Sequence, residues 1–428
     1  VSSQPVGSQL RFCLITAGNV VNRPRLLKAA DALAAAGHDV HVVALDVQPE
    51  LAARDTVTIE GRAWSTHRLP LRRGTVRGTL RRAMARGGQL AALSCRGWGG
   101  RGPSIEDRAI SRYLRPLTRC AIRTGADIFV AHGLQALPVA GRASARTGGR
   151  LAFDAEDLHA GEMPDEPAFR PAIALVRAVE QRYLPRCTYL TASSDGIADA
   201  LVERYHIGRP LVILNTFPWA ERAGAIRLSG SPGSAPRRPG TVSLYWFSQV
   251  IGSGRGLEDA VDALAMLPPA VELHLRGQSE RAFVDGLWGR ARALGVAERL
   301  FVWPPVLPAD LIPLAMQHDI GLALEPGRTA NQDLCMANKL FVYLTAGVAI
   351  AATDTRGQRT LLDRVPGAGF VFEPGDVKAL AAGVRRFVEH PQALRAARAA
   401  SARAAECTFA WERDAPRLVA YLTGAVDG

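Results

Sequence analysis

The chain has 428 residues, of which 48% are hydrophobic and 21% charged, with a formal net charge of +12. That is material for two or three domains with ordinary globular cores, and it excludes a disordered, collagen-like or disulfide-stapled protein. The longest apolar run, 340–353, is too short to span a bilayer and is interrupted by Gly347.

No signal peptide is visible at the start. The six cysteines (Cys13, Cys95, Cys120, Cys187, Cys335 and Cys407) are scattered without a Cys-x-x-Cys pair, so reduced thiols in the cytosol are expected. The charge is uneven. Fifteen arginines lie between Arg62 and Arg123 against only Glu106 and Asp107, while the remainder of the chain is close to neutral.

Residues 10–16 read as a first buried strand, ended by Ala17-Gly18-Asn19. A helix over 24–36 follows, with Leu26, Ala30 and Leu33 on one face, and then a strand over 40–45. This opening resembles that of a dinucleotide fold. It lacks Gly-x-Gly-x-x-Gly, however, and only Asp46 stands near the end of the second strand, so no NAD site is expected. The first loop instead offers Gly18, Asn19, Asn22, Arg23 and Arg25 to a phosphate or a sugar.

The basic segment comes next. Over 76–86 a helical projection puts Val76, Leu80, Ala83 and Met84 on one arc and Arg77, Arg81, Arg82 and Arg86 around the rest. A helix lying on an anionic membrane surface has this pattern. So does a solvated helix whose apolar arc packs on the domain core, and both readings stay open. Nucleic acid is not expected as a partner, because no aromatic residues are interleaved with the arginines apart from the isolated Trp64 and Trp98.

The α/β rhythm resumes with strands over 127–131, ended by His132-Gly133, and 151–153, ended by Asp154-Ala155-Glu156-Asp157-Leu158-His159. Three carboxylates and a histidine in six residues are costly to gather at a strand end unless something binds there. A helix over 172–184, a strand over 189–192, a helix to Arg204 and a strand over 211–214 complete the first half. Residues 216–240, rich in Gly, Pro and Ser, suit a linker.

The second half repeats the plan. A strand over 242–246 leads into the loop Ser248 to Gly256 and a helix with Leu257, Ala260, Val261, Leu264 and Leu267 on one face. Further strands are expected over 271–275 (followed by Arg276), 301–303, 320–324, 348–352 and 370–372. Between the last-named three, a polar loop over 325–337 leads to a short helix opened by Asn338, with Leu340, Phe341 and Leu344 as its apolar positions and Gly347 as its stop. Asn338 and Lys339 thereby stand at a helix N-terminus on the carboxyl edge of a sheet, where open α/β sheets bind ligands and free N–H groups favour an anion. The expected fold class is α/β, with two Rossmann-like domains facing across a cleft: 1–220, a linker over 221–240, and 241–405. No Asp-x-Asp triplet occurs, so a metal-held diphosphate site of the one-domain sugar transferases is not expected.

These motifs resemble the GT-B glycosyltransferases, particularly family 4, over nearly the whole chain. Asn338-Lys339-Leu340-Phe341-x-Tyr343-Leu344-x-Ala346-Gly347, followed by a strand and Thr353-Asp354, is the most specific match. Arg255-Gly256 looks like the family's Lys-Gly motif, and Asp319-Ile320-Gly321-Leu322 like the strand before its donor site. Asn215-x-Phe217-Pro218 resembles the end of its N-terminal domain, and Trp411 with the last helix (406–428) the segment that crosses back onto that domain.

The resemblance implies a nucleotide-sugar donor on the C-terminal domain, an acceptor on the N-terminal one, retention of configuration and no bound metal. Arg255 and Lys339 would stabilise the leaving diphosphate, with Ser248, Gly254, Arg276, Glu325, Asn338 and Leu340 completing the donor side. Gly18, Asn19, Arg23, His132, Glu156, Asp157 and His159 would form the acceptor side, and Glu156 and Asp157 are counted with the catalytic groups. In an inverting enzyme the base would be one of His132, Glu156, Asp157 and His159. The chain departs from the family at Val342, which stands where a ribose-binding Glu is common, and Glu325 is the nearest substitute. It departs again at Glu156, where a His is common, and near Ser248-Gln249, where an assisting Arg is absent.

The expected function is therefore transfer of a sugar from a UDP- or GDP-linked donor to a glycan or lipid-linked acceptor. The donor is a co-substrate, and no cofactor is expected. The expected location is cytoplasmic, peripheral on the inner face of the membrane through segment 62–123. A nucleotide-sugar epimerase and a non-catalytic subunit on the same fold are the alternatives.

Overall fold

The computed structural model describes residues 9–46, 49–71, 76–97, 102–224 and 240–425, without the side chains of residues 49–50, 76–77, 97 and 223–224. Two compact units are present: residues 1–213 with 415–428, and residues 214–414. Most of the expected linker, residues 225–239, lies outside the described residues, as do Arg72, Arg73, Trp98, Arg101 and the side chains of Val76 and Arg77.

The first unit is built on seven strands: β1 (Arg11–Thr16), β2 (Asp39–Asp46), β3 (Ser65–Pro70), β4 (Ile128–His132), β5 (Arg150–Ala155), β6 (Tyr189–Ala192) and β7 (Leu211–Val212). Their order is β3-β2-β1-β4-β5-β6-β7, and every described pairing is parallel. The second unit has six: β8 (Val242–Ile251), β9 (Val271–Ser279), β10 (Leu300–Trp303), β11 (Ile320–Ala323), β12 (Ala349–Thr353) and β13 (Gly369–Phe372). Their order is β10-β9-β8-β11-β12-β13, again parallel throughout. Each sheet is doubly wound, and its strand order reverses once, between β1 and β4 in the first unit and between β8 and β11 in the second.

Parallel strands are covered by helices on both faces, so they read as unbroken apolar runs. β8 shows why. Leu244 and Trp246 enter one core, with Leu273, Leu275 and Leu322, while Tyr245 and Phe247 enter the other, with Tyr343 and Ile350. Beyond Phe247 the register with β9 shifts, and the strand continues to Ile251. Ser248 thus sits in a strand, not in the loop expected from its polar neighbours. The expected loop 325–337 also contains a short helix, Ala330–Leu334.

The helix Asn338–Ala346 is stopped by Gly347 at φ +66°, the left-handed conformation that a C′ glycine adopts without steric cost. It is buried on every side from Lys339 to Ala346, including Val342 at 0% exposure. The last helix, Trp411–Thr423, ends in the first unit, where the Tyr421 hydroxyl accepts the Leu190 N–H at 3.1 Å.

The basic helix runs over Val76–Gly97, twice the expected length. Its inner side is small and polar. Gly78 and Ala92 are buried, Gln89 Nε2 donates to Ala109 O at 2.8 Å, and Arg96 pairs with Glu106 at 3.0 Å. Arg82 also faces inward, its carbonyl accepting from Arg112. The apolar arc faces out, with Leu80 58% exposed, Met84 61%, Leu90 52% and Leu93 41%. The arc therefore does not pack on the domain core. No described helix is long and apolar enough to cross a membrane.

Candidate functional site

In an open α/β sheet the crevice outside the carboxyl ends of the strands, at the point where strand order reverses, is left uncovered by crossover helices and binds ligands. Both units concentrate polar side chains there.

In the second unit the reversal lies between β8 and β11. After β8, Gly254 and Gly256 turn the chain with φ of +72° and +68°, and the helix Leu257–Ala265 begins. A Cβ on Gly256 would lie 2.9 Å from Leu324 Cβ and 3.0 Å from Leu324 O, so only glycine lets this turn close on the end of β11. The closure brings four expected donor residues together. Arg255 donates to Ser248 Oγ at 3.1 Å, Lys339 Nζ donates to Glu325 Oε1 at 2.8 Å, and Arg255 acts electrostatically on Glu325.

Lys339 also lies over the Trp246 ring, 5.4 Å from its centroid. The Lys339 ammonium holds the Glu325 carboxyl below its usual range against the opposing effect of burial, and Arg255 adds to it. Arg255 is half-buried, but Lys339 is only 9% exposed, so the lysine is not the solvent-facing residue that a helix N-terminus suggests.

Three expected donor residues are placed differently. Leu340 is a core residue at 0% exposure, and its N–H is taken by Ala337 O at 2.9 Å. The Asn338 side chain accepts from Asn215, which ties the helix start to residue 215. Arg276, on β9, is 2% exposed and donates to Pro304 O at 3.1 Å beneath the Trp303 ring. Val342 is an enclosed core residue with no polar atom in its side chain, and Glu325 is the carboxylate of this group.

In the first unit the reversal lies between β1 and β4. Registration places Thr16, His132, Asp154 and Thr191 opposite one another on β1, β4, β5 and β6, a row of side chains on one face. Asp154 is its centre. It receives Arg25 through Nε at 2.9 Å and a second guanidinium nitrogen at 2.6 Å, the Thr191 hydroxyl at 2.7 Å, and His132 Nδ1 at 3.2 Å. Burial alone would raise its pKa, but Arg25 and His132 hold it well below the usual carboxylate range. An ionised Asp154 only accepts, so His132 carries its hydrogen on Nδ1, and in the neutral ring Nε2 is left as an acceptor. His132 Nε2 and Thr16 Oγ1 are buried without a protein partner, as expected where a polar ligand belongs.

Arg23 and Glu156 stand at the rim of this row, 3.8 Å apart, and Ser193 Oγ donates to the Glu156 carbonyl. Burial, with Asp157 and Asp154 nearby, raises the Glu156 pKa. Asp157 follows it, half-buried. Gly18 is adjacent to β1 and accepts the Leu45 N–H.

Asn19 and His159 are engaged elsewhere. Asn19 donates to Asp55 at 2.8 Å, and Asp55 also accepts the Val21 N–H at 2.7 Å, which fixes the loop and not a ligand. His159 Nδ1 meets Glu162 at 2.5 Å. Burial lowers the His159 pKa, yet the Glu162 hydrogen bond and charge, with Glu180 and Asp157, raise it above the usual imidazole range. The stability this pair contributes is full below the ordinary histidine pKa and is lost as pH rises through the raised one. Melting curves from neutral to mildly alkaline pH should show that loss, and Glu162→Gln should remove it.

Arg25 and Asp154 were visible in the sequence as members of a polar loop and an acidic run. Their pairing spans 129 residues, and no local pattern signals it.

HepE from Anabaena, solved with UDP and glucose, matches 97% of this chain and 100% of its own with a TM-score of 0.71 at 15% identity. Sucrose-phosphate synthase from Thermosynechococcus elongatus matches 98% and 100% with a TM-score of 0.65 at 15% identity. A putative UDP-N-acetylglucosamine 2-epimerase from Listeria monocytogenes matches 98% and 96% with a TM-score of 0.57 at 12% identity. No family model matches the sequence, and no curated protein matches it. The likeness establishes the fold: this is a GT-B chain with two parallel-sheet α/β domains.

Proposed function

We propose that the protein is a glycosyltransferase that moves a sugar from a nucleoside diphosphate to a hydroxyl of a glycan or lipid-linked acceptor, with retention and without a metal. The observation that carries this reading is the pairing of Arg255 and Lys339 around Glu325 at the strand-order reversal of the second unit. Departure of a nucleoside diphosphate builds negative charge on phosphate oxygens, and fixed cations beside a helix start stabilise that charge without reorganising. Arg255 suits bidentate phosphate contact, and Lys339 supplies a point charge. UDP is the first nucleotide to test, because HepE was solved with UDP and glucose.

On the first unit, His132 Nε2 and Thr16 Oγ1 supply unpaired polar atoms for acceptor hydroxyls, with Arg23 and Glu156 at the rim. The likeness to an epimerase supports a second reading, in which the sugar nucleotide is isomerised and no acceptor is needed. Incubation with UDP-sugars, with and without glycolipid extracts, separates the two. Transfer gives free UDP and an acceptor heavier by one sugar. His132→Ala should lower turnover by about a hundredfold or more with UDP affinity unchanged. Isomerised sugar without acceptor would replace the transferase reading by the second one.

A further inference from the structure

The first unit contains a cavity of about 570 Å3, away from the His132–Asp154 row, that neither proposed substrate needs. Its walls are the end of β3, the basic helix Val76–Gly97 and the helix Leu114–Arg123 with the turn before it. Six arginines are among its lining residues, Arg112 half-buried and Arg81, Arg108, Arg115, Arg119 and Arg123 exposed at its mouth. No carboxylate is among its described lining residues. Glu106 and Asp107, the only acids of the segment, are buried and already bound, Glu106 by Arg96 and Arg182 and Asp107 by Arg142, Arg182 and the Tyr183 hydroxyl. Among the described residues none of the six cavity arginines is in an ion pair. Two further polar atoms, Ser111 Oγ and Arg112 Nε, are buried without a hydrogen-bond partner, and Ser111 is 1% exposed. Like charges gathered around one void raise its potential, and an anion relieves it. Guanidinium groups in this number match phosphate oxygens.

Much of the remaining lining is apolar, including Leu69, Leu71, Met84 and Leu114, with Gln89 and Tyr113 as uncharged polar members. Met84 joins the cavity to the outward stripe of the same helix, where Leu80 and Leu90 stand more than half exposed. An apolar stripe turned to solvent and bordered by arginines is the reverse of an ordinary surface helix. It suits a helix lying in the plane of a lipid headgroup region.

We propose that this face binds an anionic bilayer surface, with the phosphate of one lipid head in the arginine cavity and Leu80, Met84 and Leu90 in the hydrocarbon boundary. The charge of the cavity selects the anion, and the stripe selects a lipid over a nucleic acid, because its side chains are aliphatic and offer no ring for a base to stack on. The proposal does not rest on the glycosyltransferase reading.

The test is flotation of the 428-residue chain with vesicles of phosphatidylcholine alone and of phosphatidylcholine mixed with phosphatidylglycerol, at low and high salt. Binding should be confined to the anionic vesicles and fall steeply with salt. Arg115→Gln with Arg119→Gln and Arg123→Gln should weaken it by about a hundredfold. Leu80→Ser with Met84→Ser and Leu90→Ser should weaken it by at least about tenfold. Both sets are surface changes, and unchanged melting temperatures would show that folding is intact. Equal binding to both vesicle types, no binding to either, or full binding by either variant would overturn the proposal. Displacement by inorganic diphosphate with no effect of the serine changes would identify a site for a soluble phosphate instead. Tighter binding of a single-stranded oligonucleotide than of vesicles would do the same for nucleic acid.

Discussion

Asp154→Asn is expected to cost about 3–5 kcal/mol of stability, because it removes the charge of the carboxylate that receives the buried Arg25 guanidinium through two nitrogens. Arg25 is 6% exposed, and it also donates to the Ile213 carbonyl at 2.7 Å. The cost should appear as a lowered urea midpoint for the first unit. It is not the net worth of the ion pair. Arg25→Met combined with Asp154→Leu removes both charges and should recover much of the stability, since well-packed apolar residues often replace a buried pair at little cost. Transfer should not recover with it, because His132 Nδ1 then has no acceptor and its ring is no longer oriented. Recovery of both stability and turnover would show that the row is structural only.

Lys339→Ala is expected to lower transfer by about two orders of magnitude or more, the usual scale for losing one partner of a developing charge. The lysine is nearly buried and paired with Glu325, so the variant should also lose stability, and the Glu325 carboxyl should titrate higher than in the parent. Arg255→Ala is the cleaner test. Its side chain is half-buried and donates only to Ser248 Oγ among its described hydrogen bonds, so folding should survive a similar loss of rate. Near-normal turnover in both variants would remove these residues from the donor site.

Much of this fold is legible in the sequence because parallel strands are covered on both sides. Runs such as Phe12 to Ile15 and Ile320 to Leu324 stand out, and Gly347 marks a helix end that its positive φ explains. β3 was not legible. Its residues Ser-Thr-His-Arg-Leu-Pro, at the edge of the sheet, are partly exposed and carry no apolar run. The basic helix was legible as amphipathic, but periodicity gives a face without saying what covers it, and here the apolar face is outward.

The Arg255–Glu325–Lys339 group was partly readable, since Glu325 and Lys339 flank one loop and Arg255 stands just before a helix. Burial decided the rest. Leu340 and Val342 belong to a helix enclosed all round, and Arg276 lies within the sheet. The His132–Asp154–Arg25 network depends on strand order, which places residues from distant parts of the chain side by side.

Calorimetric titration of UDP into the wild-type chain, Arg255→Ala and His132→Ala tests the placement of the donor site most directly. The wild type should bind. Arg255→Ala should bind about tenfold to a hundredfold more weakly, matching loss of a charged hydrogen bond of roughly 1.5–3 kcal/mol. His132→Ala, on the other unit, should bind as the wild type does. No binding of UDP or GDP at millimolar concentration, or equal binding by the wild type and Arg255→Ala, would contradict the assignment.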